Sequence, residues 1–425
     1  MEVVSGRADA LFRDADPLVA AELERALSGV EVSVDGAMLL FGAQGIDAHL
    51  VGMVADELRR RKNGEIATYV VNRNINFTNV CVKQCGFCAF SRDFREEEGY
   101  MLPTKEIVRR AAEARSLGAT EVCIQAGLPP DMKPGLYEEI CTAIKREVPD
   151  IHIHGFSPEE VLYGATTSQV TIPEYLGRLR EAGVDTLPGT SAEILDQEVR
   201  DRISPGRISV KDWTAVITAA HRMGIRTTST MMFGHVETIE QRARHIALIR
   251  EIQKETGGFT EFVPLNFIFH EAPMYRMDET DSVGRGAGPS DVLMTHAVSR
   301  IMLDGYIENI QSSWVKEGPE MSQLLLRWGA NDLGGTLINE SISTSAGSGY
   351  GQLMQPKQFR SLARGAGRTP AERDTMYGLL RVFDEEPGGG GLDEVEDAGR
   401  FGSYFELIKA DGFRYENLRR GVHRP

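Results

Sequence analysis

"TYVVNRNINFTNVCVKQCGFCAFSR", residues 68–92, joins an apolar, β-branched run to a loop that carries Cys81, Cys85 and Cys88. Residues 68–77 read as a strand, and the cysteines follow it at the spacing C-x3-C-x2-C. The chain has only five cysteines in 425 residues, so three of them within eight positions is a concentration that asks for a chemical reason. A long chain so poor in cysteine is not a disulfide framework. A structural zinc site takes four ligands, usually from two short hooks, and this hook has three members and no second one. Three thiolates suit a [4Fe–4S] cluster that leaves one iron open to a chelating ligand. The cluster is the reading the spacing favours; a non-catalytic zinc-binding barrel is the alternative. Cys123 and Cys141 read as small buried hydrophobes in a strand and a helix.

Outward from that stretch the pattern alternates. Strand candidates are 68–77, 121–127, 151–156, 186–190, 226–234, 259–268, 307–313 and 331–336. Amphipathic segments such as "TKEIVRRAAEARSLG" lie between them, here with Ile107, Ala111, Ala114 and Leu117 on one face, Thr104 as N-cap and Gly118 as stop. Eight alternating β and α units predict a parallel sheet closed into a (β/α)8 TIM-type barrel. The cysteine loop then falls at the C-terminal face of the barrel, where active sites are built. No G-x-G-x-x-G follows the first strand and no Walker A sequence is present, which argues against a nucleotide-binding open sheet. The expected layout is an N-terminal helical extension over 1–64, the barrel over 65–340 and a C-terminal extension over 341–425. The extension contains the acidic, glycine-rich stretch 384–399, to which no function is assigned.

Charge narrows the partners. Lys and Arg total 47 against 62 Asp and Glu, a formal charge of −15, so a nucleic-acid partner is not expected. No apolar run is long enough to cross a bilayer, and the N-terminus lacks a basic region followed by an apolar one. The expected location is the cytoplasm.

The cysteine spacing resembles the radical S-adenosylmethionine (SAM) superfamily. The ordered blocks "GFSPEE", "LPGTSAEIL", "TMMFGHVET", "TGGFTEFVPL", "NIQSSWVKEG" and "GANDLGGT", running on from the cysteine block, are similar to the 5-amino-6-(D-ribitylamino)uracil–L-tyrosine 4-hydroxyphenyl transferases. Aminofutalosine synthase and dehypoxanthine futalosine cyclase of menaquinone synthesis share most of these blocks and are the alternative. The resemblance implies a [4Fe–4S] cluster on Cys81, Cys85 and Cys88, and SAM that yields a 5′-deoxyadenosyl radical. It implies cleavage of the Cα–Cβ bond of L-tyrosine and transfer of the hydroxybenzyl fragment to 5-amino-6-(D-ribitylamino)uracil, in the synthesis of the deazaflavin coenzyme F(420). A partner radical SAM subunit would close the deazaflavin ring, and a reduced flavodoxin or ferredoxin would donate the electron.

By the same resemblance, Phe87 lies near the adenine, Gln125, Ala126 and Gly127 beside the methionyl amine, and Glu193 at the ribose hydroxyls. Met232 and Gly234 sit in the strand-five segment, with Gly234 admitting the adenine. Each has a plainer reading. Glu193 stands three residues after Thr190, the spacing of a capping box. Glu237 reads as a solvated helix-start residue. His154, two residues from His152 on one strand face, Ser157, His270, Asn309 and Gln311 are candidate substrate contacts at the barrel mouth. Ser157 with Pro158 is also a helix-start signal. No catalytic residue is assigned.

Overall fold

The computed structural model describes residues 12–278, 280–385 and 390–416. Residues 1–11 of the N-terminal extension, 386–389 of the acidic stretch and 417–425 of the C-terminal extension lie outside them, as does 279.

Ten strands are described. Six run in the order β2 (Asn72–Ile75), β3 (Glu121–Ile124), β4 (His152–Gly155), β5 (Thr186–Leu187), β6 (Arg226–Phe233) and β7 (Phe259–Asn266), every neighbouring pair parallel. The first strand candidate is broken at Val71 into β1 (Ile66–Val70) and β2. β1 pairs in parallel with β8 (Asp332–Gly335), through Thr68 opposite Asp332. Between β7 and β8 the wall is completed by two parallel bridges, Phe262 with Ile310 and Gln311 with Asp332. The ring therefore closes as an α/β barrel of eight positions. The seventh candidate, 307–313, is a pair of bridges rather than a strand, and the fourth pairs over only two residues.

Burial explains why these segments are strands. β6 is buried from Thr227 to Phe233, as expected for a parallel strand covered on both faces. The helix Thr104–Ser116 buries Ile107, Ala111 and Ala114, one side at helical spacing. Its N-cap is Pro103 rather than Thr104, which lies one residue inside the helix. Gly118 ends the segment at φ 97°, a conformation that favours glycine. The helix Ile46–Asn63 packs outside the barrel against Pro289–Leu303.

The barrel wall does not stop at residue 340. β9 (Thr369–Arg373) pairs in parallel with β1, Ile66 to Thr369 through Tyr69 to Glu372. β10 (Leu379–Val382) returns antiparallel on β9. β1 thus has β8 on one side and β9 on the other, while its continuation β2 has β3. The C-terminal extension delivers a hairpin whose turn enters the barrel.

Candidate active site

A cavity of about 370 Å³ lies inside the barrel. Cys81, Cys85 and Cys88 line one end of it; Arg373 and Thr375 from the hairpin line it as well.

The cysteine loop is fixed by backbone contacts on several sides. Gly127 N–H donates to the Thr78 carbonyl at 2.9 Å, and Val82 N–H to the Leu128 carbonyl at 2.8 Å. A side chain at Gly127 would strike the Val80 carbonyl, so glycine here serves the close approach of two backbones. Gly86 N–H donates to the Ile203 carbonyl at 2.8 Å, and its own carbonyl accepts from Met274 N–H at 2.7 Å. A Cβ on Gly86 would stand 2.9 Å from that of Met274.

Arg207 joins the loop to the strand ends. Its guanidinium meets Glu193 at 3.1 Å and donates to Ser191 Oγ at 2.8 Å and to Cys85 Sγ at 3.4 Å. It lies 5.3 Å from the centre of the Phe87 ring, a cation–π contact. Burial pushes the Cys85 thiol up to about 12, with Arg207 opposing the rise. A thiolate there needs further positive charge, which a bound iron would supply. The five cysteines are all free thiols. Among the described residues no three ligand-type side chains gather around a single point as ligands of one ion would. A cluster needs a wider spacing, because each thiolate takes a different iron. Three free thiols lining one end of the cavity fit a [4Fe–4S] cluster with one iron left open.

Glu160 supports the segment next to the loop. Ser157 caps the helix Pro158–Thr167 in a capping box with Glu160, the start signal expected from the sequence. The other carboxylate oxygen of Glu160 accepts the Ala126 N–H at 2.9 Å, so one side chain both caps a helix and orients Gln125–Gly127. Burial pushes its carboxyl up to about 7.

The far end is a network of side chains. Arg373 grips Asp332 through two hydrogen bonds, at 2.6 and 3.0 Å, and stands 3.6 Å from Glu261. Tyr377 donates its hydroxyl to Glu261. Glu121 accepts from Asn72 and Thr375 at 2.8 Å each. His154 Nδ1 meets Thr186 Oγ1 at 2.8 Å, and burial pushes the imidazole down to about 4, so it is neutral near pH 7.

Of the residues singled out in the sequence, the cavity gathers Cys81, Cys85, Phe87, Cys88, Gln125, Ala126, Gly127, His154, Ser157, Glu193, Met232 and Gln311. Gly234, His270 and Asn309 are not in its lining. At Gly234 the close neighbour is the backbone of Gly286 and Ala287, which packs over the end of β6 where the adenine was expected. His270 is exposed and stacks on Phe269. Asn309 serves the barrel wall, donating to the Thr260 carbonyl and accepting from Asn331. Glu193 caps no helix, since the next described helix begins at Gln197; it faces Arg207 instead, with φ 45°. The Glu237 side chain is buried rather than solvated, paired with Arg242 at 2.7 Å and accepting from the N–H groups of Gly234 and His235.

Residues 75–249 match the Radical SAM superfamily, and residues 256–385 match the CofH/MqnC C-terminal region. The chain is 47% identical over 346 residues to the 5-amino-6-(D-ribitylamino)uracil–L-tyrosine 4-hydroxyphenyl transferase of Methanothermobacter thermautotrophicus, covering 81% of this chain and 94% of that one. It belongs to that transferase family. The family member of Methanocaldococcus jannaschii is 48% identical over 77% of this chain and 91% of its own. The FO synthase of Nocardia farcinica is 45% identical over 86% of this chain but only 42% of its own length. Among solved structures, the FeFe-hydrogenase maturase HydG of Carboxydothermus hydrogenoformans shares the fold with TM-score 0.65 at 17% identity, over 88% of this chain and 84% of its own.

Sequence reasoning missed Arg207, Lys316, Arg373 and Thr375, all in the cavity lining of this transferase-family chain. Arg207 sits in "SPGRISV", a loop with no recognisable spacing to the cysteines. Arg373 and Thr375 carried a faint signal: "RTPAERDT" has a β-branched residue near its start and a turn after it, but it falls in the C-terminal extension, outside the expected barrel.

Proposed function

We propose that the chain cleaves the Cα–Cβ bond of L-tyrosine and joins the 4-hydroxybenzyl fragment to 5-amino-6-(D-ribitylamino)uracil. The products would include 2-iminoacetate, 5′-deoxyadenosine and methionine, within the synthesis of coenzyme F(420). The observation that carries this reading is one shared cavity, with three thiols at one end and a polar, hydrogen-bonding floor at the other, in a chain of this family.

Cys81, Cys85 and Cys88 would hold a [4Fe–4S] cluster. When bound with SAM, it supplies the one-electron cleavage that starts the reaction. Gln125, Ala126 and Gly127 would meet the methionyl end of SAM, held in place by Glu160. Glu193 would accept the ribose hydroxyls while Arg207 holds its carboxylate and steadies Phe87. Val263, Leu265, Phe267, Ile268 and Val315 give the cavity apolar walls that keep water from reactive species. The floor offers donors and acceptors of both kinds, which suits a polar ring with a ribityl tail better than it suits a phenol. Fixing both substrates in one chamber removes the entropic barrier to their encounter.

A separate radical SAM subunit would complete the deazaflavin ring. The match to less than half of the Nocardia FO synthase supports such a division of labour. A reduced flavodoxin or ferredoxin in the cytoplasm would supply the electron; no described helix is long and apolar enough to cross a membrane. The test is anaerobic protein with reductant, SAM, tyrosine and the diaminouracil, followed by mass spectrometry. The expected result is a tyrosine-derived adduct, with deazaflavin only after the partner subunit is added. Turnover of a futalosine compound without consumption of tyrosine would overturn the reading.

A further inference from the structure

Four permanent or readily formed cations line the cavity: Lys83, Arg207, Lys316 and Arg373. Three are matched. Lys83 meets Glu159 at 3.4 Å, Arg207 meets Glu193 at 3.1 Å, and Arg373 meets Asp332 at 2.6 Å. Lys316, on the short helix Trp314–Glu317, has no hydrogen bond or ion pair for its ammonium among the described residues. Beside a smaller effect of the Cys88 thiol, the carboxylates whose charge reaches it are Glu340, Glu193 and Glu317. Each is already engaged: Glu340 by the N–H groups of Ser343 and Thr344, Glu193 by Arg207, and Glu317 by Asn266. Lys316 is half-buried and its ammonium opens to the cavity, where partial loss of water pulls its pKa down.

The wall around it is equally unfinished. Ser313, one turn before Lys316, and Ser343, beside Glu340, both line the cavity. Neither hydroxyl has a hydrogen-bond partner among the described residues. One ammonium and two hydroxyls are donors without an acceptor. The chemistry that completes them is a carboxylate, which brings both the compensating charge and the lone pairs. In a chamber that takes tyrosine, the amino-acid head carries that group, and the uracil partner carries none.

We infer that Lys316, with Ser313 and Ser343, anchors the α-carboxylate of the tyrosine substrate. This rests on the transferase reading above. It gives the amino-acid head a place on the cavity wall within reach of Glu193 and Cys88, so that the bond to be broken is held in register while the two halves separate.

The probes are L-tyrosine and tyramine, which has the same phenol and amine but no carboxylate. Binding of each to the reconstituted anaerobic protein with SAM is compared for wild type, Lys316→Met and Lys316→Arg. Loss of a charged hydrogen bond predicts that Lys316→Met weakens tyrosine binding roughly 10- to 100-fold and tyramine binding by no more than about twofold. Lys316→Arg should recover part of the tyrosine affinity. Equal weakening of both ligands, or none, would overturn the inference, as would a loss of SAM affinity with tyrosine unmoved, which would mark SAM as the source of the carboxylate. A Lys316→Met protein that fails to fold leaves Lys316→Arg to carry the test: a partial loss confined to tyrosine supports the anchor, and a folded protein in which both ligands are unmoved, or are weakened alike, overturns it. Wild-type protein that consumes no tyrosine defeats the transferase reading itself, whereas consumption with an indifferent Lys316→Met defeats only the anchor.

Discussion

The two ends of the cavity are built from different materials. The cysteine end is backbone against backbone: Gly86 and Gly127 let chain segments approach so closely that hydrogen bonds between main-chain groups hold the loop. The floor is side chain against side chain, with Arg373, Asp332, Glu261 and Tyr377 locked in a buried charged network. The first design places soft ligands accurately through main-chain contacts, with Arg207 adding a cation beside Cys85. The second keeps polar groups inside a barrel by satisfying each with another, and it does so with residues from a hairpin outside the expected barrel.

If the ends are independent, each can be broken alone. The largest effect belongs to Cys85→Ala. It should reduce SAM cleavage to background and prevent full iron loading, while the floor keeps the protein folded. Iron analysis and 5′-deoxyadenosine release measure it; full iron and full activity would refute the cluster assignment.

Arg373→Met attacks the floor. It removes one partner of a buried pair and leaves Asp332 and Glu261 without compensation, an expected loss of about 3–5 kcal/mol in stability. Denaturant unfolding measures that loss. In the fraction that remains folded, SAM affinity should stay within about twofold of wild type, since one lost charge-assisted hydrogen bond would already exceed that. A large fall in SAM affinity would show that the two ends are one coupled structure.

The same contrast explains what the sequence revealed. The cysteine end was legible because its residues are close in the chain and glycine marks the close approaches. The barrel was legible because alternating apolar runs of two periods repeat along the chain. Of the floor, His154 was legible from its place on a strand; the network was not, because it joins Asn72, Glu121, Glu261, Asp332 and Arg373 from separate segments, and pairing across such distances leaves no local pattern. Glu193 shows the failure at one residue: the capping-box spacing was real, but no helix followed to be capped. At Gly234 a side chain would meet the chain's own 286–287 backbone, a neighbour far away in sequence that no local pattern announces. β9 was lost to the expectation that eight units exhaust a barrel.

The smallest and sharpest comparison is in pH. Glu160 steadies the segment beside the cysteine loop and His154 lies at the floor; burial is the leading cause of both shifts, with opposite consequences. Glu160 in the fold titrates near 7, above its unfolded value of 4.5, against the hydrogen bonds from Ser157 and Ala126 and the charge of Arg207. The folded state therefore holds a proton that the unfolded state releases, and this contribution is full below about pH 4.5 and lost as pH rises through about 7. His154 titrates near 4, below its unfolded value of 6.5, with Glu121 opposing the shift and His152 and Arg373 adding to it. Its contribution is full above about pH 6.5 and lost as pH falls through about 4. Glu160→Gln and His154→Gln remove one titration each, so the stability difference between wild type and variant isolates the group. From about pH 7.5 to about pH 5, wild type should gain about 2 kcal/mol relative to Glu160→Gln and lose about 2 kcal/mol relative to His154→Gln. Unfolding curves at the two pH values measure both differences. A flat difference for either variant would mean that its group is solvated, and that the dry interior does not reach from the cysteine end to the floor.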